Sequence, residues 1–234
     1  MPRIICRGLL IDMDGVLADS TAAIARVWAR WAARYNMDPV YVTAFAHGRT
    51  SLASIQELLP EESPEIHAEE DRWMLQAEIE DVADVVALPG AREILASVPS
   101  DRRVVVTSAA RNLAEVRLRA AGVWDLVHHL VTSSDIQNGK PHPEPYLKGA
   151  AALQLPPTDC VVIEDAASGT RSGKSAGARV LAIRTTSRDA ELLAAGADWI
   201  ANDCASLRCT LAPDSDQLTL EFPADEIPRL PKMS

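Results

Sequence analysis

Gly8-Leu9-Leu10-Ile11-Asp12-Met13-Asp14-Gly15-Val16-Leu17-Ala18-Asp19-Ser20 is a short apolar run that ends in two aspartates and a glycine. Its length suits a strand buried in a parallel sheet. It delivers carboxylates where the strand stops, which is where open α/β sheets place ligands. Side chains two apart on an extended chain point the same way, so Asp12 and Asp14 can address one small site, roughly 7 Å apart along the backbone. Two like charges so close call for a divalent cation, and carboxylate and carbonyl oxygens beside an anionic substrate suit Mg2+. Such a pair suits phosphoryl transfer: one carboxylate attacks phosphorus, and the other gives a proton to the leaving oxygen and later takes one from water. Gly15 lets the backbone bend close to a phosphate, whose oxygens the amides of the following turn can meet. The same letters also suit a plain acidic turn after a strand.

Downstream, Asp19-Ser20 reads as a helix N-cap, and Ile24, Val27, Trp28, Trp31, Ala32 and Tyr35 recur at the spacing of one helical face. Asn36-Met37-Asp38-Pro39 breaks that helix and His47-Gly48-Arg49 makes a loop. Leu52, Ile55, Leu58 and Leu59 mark a second amphipathic segment ended by Pro60. A third runs from about Glu65, with Ile66, Trp73, Met74 and Ala77 on its apolar side. A crossover helix within a βαβ unit needs far fewer residues, so the sequence predicts a helical domain over 20–87 inserted into a core of 1–19 and 88–234.

From Leu88-Pro89-Gly90 onward, strands and helices alternate. Strands are predicted at Arg103–Ser108, near His129–Thr132, at Cys160–Asp165 and at Arg179–Ile183. Helices are predicted over 91–98, 112–121, 145–153 and 169–176, with Gly122 and Gly177 closing two of them. This alternation means an α/β fold, a doubly wound parallel sheet with helices on both faces. Leu207–Leu211 and Gln217–Phe222 flank Pro213-Asp214-Ser215-Asp216 as a terminal hairpin, and little order is predicted beyond Pro223.

Nearly half of the 234 residues are apolar, ample for a buried core, and the net charge of -10 argues against nucleic acid as a partner. No run of about 18 apolar residues suggests a membrane span, and Met1-Pro2-Arg3 leads into the first strand without a signal-peptide pattern, so a cytoplasmic protein is expected. Cys6, Cys160, Cys204 and Cys209 sit in or beside core segments without a C-x-x-C pair, which predicts reduced, buried thiols.

Several predicted strands end in groups suited to one phosphate. Thr107-Ser108 offers a hydroxyl donor. Lys140, between Gly139 and Pro141, is a cation on a stiffened loop that can neutralise charge on a nucleophile and a transferred group. Glu164-Asp165 adds the further carboxylate that Mg2+ requires. Singly these read as a helix cap, a surface lysine and an exposed turn; together at successive strand ends they read as a site.

In this order, Asp12-x-Asp14-Gly15-Val16, Ser108, Lys140 and Glu164-Asp165 resemble the haloacid dehalogenase-like hydrolases, in the subfamily whose helical cap lies between the first and second motifs. The likeness spans about residues 7–222. It implies a Rossmann-like core with a mobile four-helix cap, Asp12 as nucleophile and Asp14 as acid and base. It also implies Ser108 as the phosphate-binding hydroxyl and Lys140 as the stabilising cation. Asp165, the Asp12 carboxylate and the Asp14 main-chain carbonyl correspond to Mg2+ ligands, with Glu164 a supporting carboxylate. Dehalogenases of the superfamily lack the second aspartate, so its presence implies phosphate chemistry.

Gly139-Lys140-Pro141-His142-Pro143-Glu144-Pro145-Tyr146-Leu147-Lys148-Gly149, Ile163-Glu164-Asp165-Ala166 with Ser168-Gly169, and His47-Gly48-Arg49 resemble the glycerol-phosphate and 2-deoxyglucose-6-phosphate phosphatases. This likeness implies a small phosphorylated sugar or polyol as substrate. A β-phosphoglucomutase-like mutase is the alternative within the superfamily, although that family carries a histidine where this chain has Ile24. A non-catalytic phosphate-binding regulator is the alternative outside it, disfavoured because binding alone needs no acid/base aspartate. His47 and Arg49 on the insert, and Arg111 and Asn112 on the core, are the candidate substrate contacts. His128, His129 and the tryptophans Trp28, Trp31 and Trp73 are read as structural. A monomer is expected, since no stretch looks like a dedicated apolar interface.

Overall fold

The computed structural model describes residues 2–212 and 215–223. The predicted turn at Pro213-Asp214 and the chain beyond Pro223 lie outside the described residues. In chain order the strands are β1 (Arg3–Cys6), β2 (Gly8–Ile11), β3 (Ala18–Asp19), β4 (Val86–Ala87), β5 (Arg103–Val106), β6 (Leu130–Val131), β7 (Cys160–Glu164), β8 (Arg179–Ile183), β9 (Trp199–Ala201), β10 (Arg208–Leu211) and β11 (Leu218–Glu221). The helices are α1 (Thr21–Arg34), α2 (Pro39–Ala46), α3 (Ser51–Leu58), α4 (Pro64–Glu80), α5 (Ala91–Ser97), α6 (Arg111–Ala120), α7 (Glu144–Ala152), α8 (Ala167–Ser175) and α9 (Asp189–Ala194).

Six strands form a parallel sheet in the order β6-β5-β2-β7-β8-β9. The pleat sends alternate residues to opposite faces. Leu9, Ile11, Val105, Val161 and Ile163 join one apolar cluster with α5 and α6, while Leu10, Val104, Val106, Val162 and Val180 join another under Tyr146 and Ala150 of α7. The chain runs from β2 outward to β5 and β6, then returns to the other side of β2 for β7, β8 and β9. The crevice at the carboxyl ends of β2 and β7 is therefore the switch point where such sheets bind ligands.

Helices α1–α4 fall between β3 and β4, which pair antiparallel, Ala18 with Ala87 and Asp19 with Val86. The insert has its own apolar cluster, in which Val27, Trp28, Trp31 and Ala32 of α1 meet Val42, Ile55 and Met74. Trp31 donates from its indole to buried Glu70, which Arg34 also pairs.

The structure adds elements the sequence reading left unassigned. α1 already ends at Arg34, with Asn36 at φ 52°, and Pro39 opens α2, because proline suits the first helical turn and Asp38 caps the amide of Val40. Short β9 extends the sheet beside β8, and α9 packs on it through Leu192 against Ala182 and Ile200. The insert is also not all helix: β4 lies within its predicted span and returns the chain to the core. Arg3–Cys6 does not lead into the parallel sheet. It is a separate strand, in a three-stranded antiparallel sheet with the predicted hairpin, in the order β1-β11-β10. The four cysteines are free and buried. Ser20 stands at the N-cap of α1, but its hydroxyl donates to Asp14 and caps nothing. No helix among the described residues is long and apolar enough to cross a membrane.

Candidate active site

Asp12 follows β2 directly, and its amide continues the sheet by donating to the Ile163 carbonyl at 3.0 Å. Lys140, on the loop before α7, reaches under the sheet end. Its Nζ donates to Asp12 Oδ1 and to Glu164 Oε1, both at 2.7 Å, and to the Val106 carbonyl at 3.3 Å. All three side chains are buried. Burial drives the Asp12 carboxyl upward against the opposing pull of Lys140. Burial also works against the Lys140 cation, but Asp12 and Glu164 prevail and keep it charged. Lys140 is thus the shared counter-ion of two buried carboxylates at the sheet end.

Each oxygen of Glu164 already has two donors. Oε1 accepts from Lys140 and from the Tyr146 hydroxyl at 2.8 Å, and Oε2 accepts from the Asp165 and Ala166 amides at 2.9 Å. Asp165 is different. Its Oδ2 accepts from the Thr186 hydroxyl and faces His47 Nε2 at 3.6 Å, whereas its buried Oδ1 has no hydrogen-bond partner among the described residues. Asp12, Glu164 and Asp165 offer three carboxylate oxygens within 4.8 Å of one another, and hard oxygen donors with one buried oxygen unmet fit a divalent cation such as Mg2+. Gly15 sits against this group with φ +79°, and a Cβ there would run into the Asp165 carboxylate.

Asp14 stands apart from that cluster, on the wall of a cavity of about 340 Å3 between insert and core. Ser20 Oγ donates to its Oδ1, and Arg117 Nη1 lies 3.2 and 3.1 Å from its two oxygens. The cavity is also lined by Ser108, His47, Gly48 and Arg49, so the insert loop 47–49 faces the core site across it. Ser108 Oγ donates to the Gly48 carbonyl at 3.2 Å, and Ser168 Oγ donates to the same carbonyl at 3.1 Å. Burial disfavours the His47 cation, but neighbouring Asp165 outweighs it and the net shift is upward. Arg49 lies over the Phe45 ring and pairs with Glu57.

The structure therefore brings Asp12, Lys140, Glu164 and Asp165 into contact, with Asp14, Ser108, His47 and Arg49 around the adjoining cavity. It does not bring Arg111 and Asn112 there. Arg111 is exposed and pairs with Asp135 at 2.7 Å, the Asn112 side chain accepts from the next amide, and neither lines the cavity. The sequence reading missed Arg117, Glu78, Tyr146 and Thr186. Arg117 and Glu78 carried a signal: each puts a charge on the buried face of its helix, among Leu113, Ala114 and Leu118 in α6 and among Met74 and Ala77 in α4. Tyr146 lies in the Gly139–Gly149 run, but nothing local marks its hydroxyl as a donor to Glu164, and nothing local marks Thr186 as a donor to Asp165.

Residues 6–177 match the family model described as haloacid dehalogenase-like hydrolase. The chain is 37% identical to hexitol phosphatase A of Escherichia coli over 76% of this chain and 83% of that protein. It is 31% identical to glycerol-1-phosphate phosphohydrolase 2 of Saccharomyces cerevisiae over 85% of this chain and 83% of that one. A solved hydrolase from Pseudomonas syringae has the same fold, with a TM-score of 0.77 at 24% identity, covering 85% of this chain and 94% of that chain.

Proposed function

Because the chain belongs to the haloacid dehalogenase-like hydrolases, we propose that it is a Mg2+-dependent phosphatase that hydrolyses a small sugar or polyol phosphate through an aspartyl-phosphate. The observation that carries this reading is the buried contact of Lys140 with both Asp12 and Glu164, beside an Asp165 oxygen that no group among the described residues satisfies. The substrate class follows from the hexitol and glycerol phosphatases to which the chain is similar. The cavity volume suits a small molecule.

In this reading, Asp12 attacks phosphorus through a carboxylate oxygen, and the bond from phosphorus to the leaving oxygen breaks. Asp14 gives that oxygen its proton, so an alcohol departs. Asp14 then takes a proton from water as the water oxygen attacks phosphorus. The bond to Asp12 breaks, inorganic phosphate leaves and both aspartates are restored. Lys140 neutralises charge at Asp12, Ser108 donates to a phosphoryl oxygen, and Glu164 holds Lys140 in line. Mg2+ would be held by Asp12, Asp165 and the Asp14 carbonyl, and it would supply charge neutralisation at the phosphoryl oxygens. Residues 20–87 act as a cap over the core of 1–19 and 88–234, with His47 and Arg49 selecting the substrate and excluding water. Ile24, which lines the cavity, offers no proton carrier for a mutase. Four unpaired thiols suit a reducing, cytoplasmic compartment.

The test is release of inorganic phosphate from a panel of sugar and polyol phosphates, with and without Mg2+, beside the Asp12→Asn variant. We expect metal-dependent release that the variant loses. Undiminished turnover by Asp12→Asn would remove the nucleophile, and no release from any substrate would favour a binding protein.

A further inference from the structure

A second charge network lines the cavity away from Lys140. Arg117 projects from the apolar face of α6 and its side chain is only 3% exposed. Its Nη1 grips both oxygens of Asp14, and its Nη2 lies 3.4 Å from Glu78 Oε1 of α4, in the helical insert. Burial works against the guanidinium charge, and Asp14 and Glu78 restore it. Yet Arg117 Nε and Nη2 have no hydrogen-bond partner among the described residues. Folding stability gives little account of such an arginine, since an apolar side chain of similar volume avoids the desolvation cost. The geometry does: one amino group spanning both carboxylate oxygens, with Ser20 on Oδ1, fixes the carboxylate against the cavity wall.

We propose that Arg117 is a positioning residue for proton transfer by Asp14, braced from the insert by Glu78, and that it matters for substrates whose leaving oxygen is an aliphatic alcohol. This rests on the reading of Asp14 as acid and base. Arg117 keeps the carboxyl aimed at the leaving oxygen, and Glu78 makes that aim depend on where α4 sits over the core.

The leaving group separates this role from a merely structural one. An aliphatic alkoxide must gain a proton as its bond to phosphorus breaks, whereas p-nitrophenolate leaves without one. The ratio kcat/KM reports only the steps through that departure. We expect Arg117→Lys to lower kcat/KM about 30-fold for the polyol phosphate the native enzyme hydrolyses best, mainly through kcat, and less than about 3-fold for p-nitrophenyl phosphate. Glu78→Gln should show the same discrimination at about 5-fold. Equal losses on both substrates, no loss, or faster polyol phosphate turnover would overturn the proposal. Asp14→Asn is the reference. If it discriminates between the substrates and the other two variants do not, positioning by Arg117 falls alone. If it does not discriminate, the role of Asp14 falls first and positioning falls with it. Should Arg117→Lys lose its near-ultraviolet circular dichroism, Glu78→Gln decides the matter.

Discussion

On the core side of the cavity, Asp12, Lys140, Glu164 and Asp165 are each 5% exposed or less and share partners: Lys140 serves two carboxylates, and Glu164 serves four donors. On the insert side, Arg49 leans on Glu57, whose side chain is 58% exposed, and His47 stands 3.6 Å from a single carboxylate. The two sides face one space under different constraints. Removing a core group strands a buried charge, whereas changing an insert group loosens one contact that water can replace. The groups proposed to react are thus carried by strand ends, or, for Lys140, pinned to them, and cannot shift without unpicking the sheet. The groups proposed to face the substrate hang on a loop that can vary.

Lys140→Met strikes the first side and should give the largest effect. Phosphate release should fall about 1,000-fold, because the counter-ion of the proposed nucleophile is gone. Denaturant unfolding should show a loss of about 3–5 kcal/mol, because Asp12 and Glu164 are left buried and unpaired. A stable, active Lys140→Met protein would put both sides on the same footing.

Gly48→Ala strikes the second side. Gly48 has φ +71°, and a Cβ would collide with the Ser168 side chain. The loop must then move off Ser108 and Ser168. We expect roughly a tenfold drop in kcat/KM from the displaced loop, with a stability loss of only about 1–2 kcal/mol. A drop as large as that of Lys140→Met would erase the contrast.

The smallest effect concerns how the Lys140 loop is braced. Glu144 accepts from the Gln137 and Asn138 amides, which hold its carboxyl down at about 2 instead of 4.5. A depressed carboxyl stabilises the fold fully above its unfolded value and loses that contribution as pH falls. Stability measured from pH 6 to pH 2 should therefore fall more steeply in the native protein than in Glu144→Gln, within the window from about 4.5 down to about 2. Parallel curves would remove Glu144 from the support of the loop.

Much of the core was legible because its signals are local. The run Gly8–Asp14 states a buried strand and its polar end in seven letters, and Lys140 is framed by Gly139 and Pro141. The insert was less legible. Pro39 punctuates as a breaker whether a helix ends or begins, and Pro39-Val40-Tyr41-Val42-Thr43-Ala44-Phe45-Ala46 has β-branched and aromatic residues that speak against helix, so only packing on α1 decides for it. Ser20 shows the limit of local rules, since its position is a cap but its hydroxyl answers a carboxylate six residues back. Arg111 and Asn112 show the converse: they sit beside Ser108 in the chain, yet the first turn of α6 carries them away from the cavity.

The ribbon of Ala18–Asp19 against Val86–Ala87 sets where the whole insert begins and ends. Paired strands bring those two points to about 5 Å from each other. To the parallel sheet, everything hung from the ribbon is equivalent to a tight hairpin turn. It can be enlarged, trimmed or exchanged for another module with neighbouring termini while every strand keeps its register, so inheritance or engineering can revise what is admitted without re-inventing what is done to it.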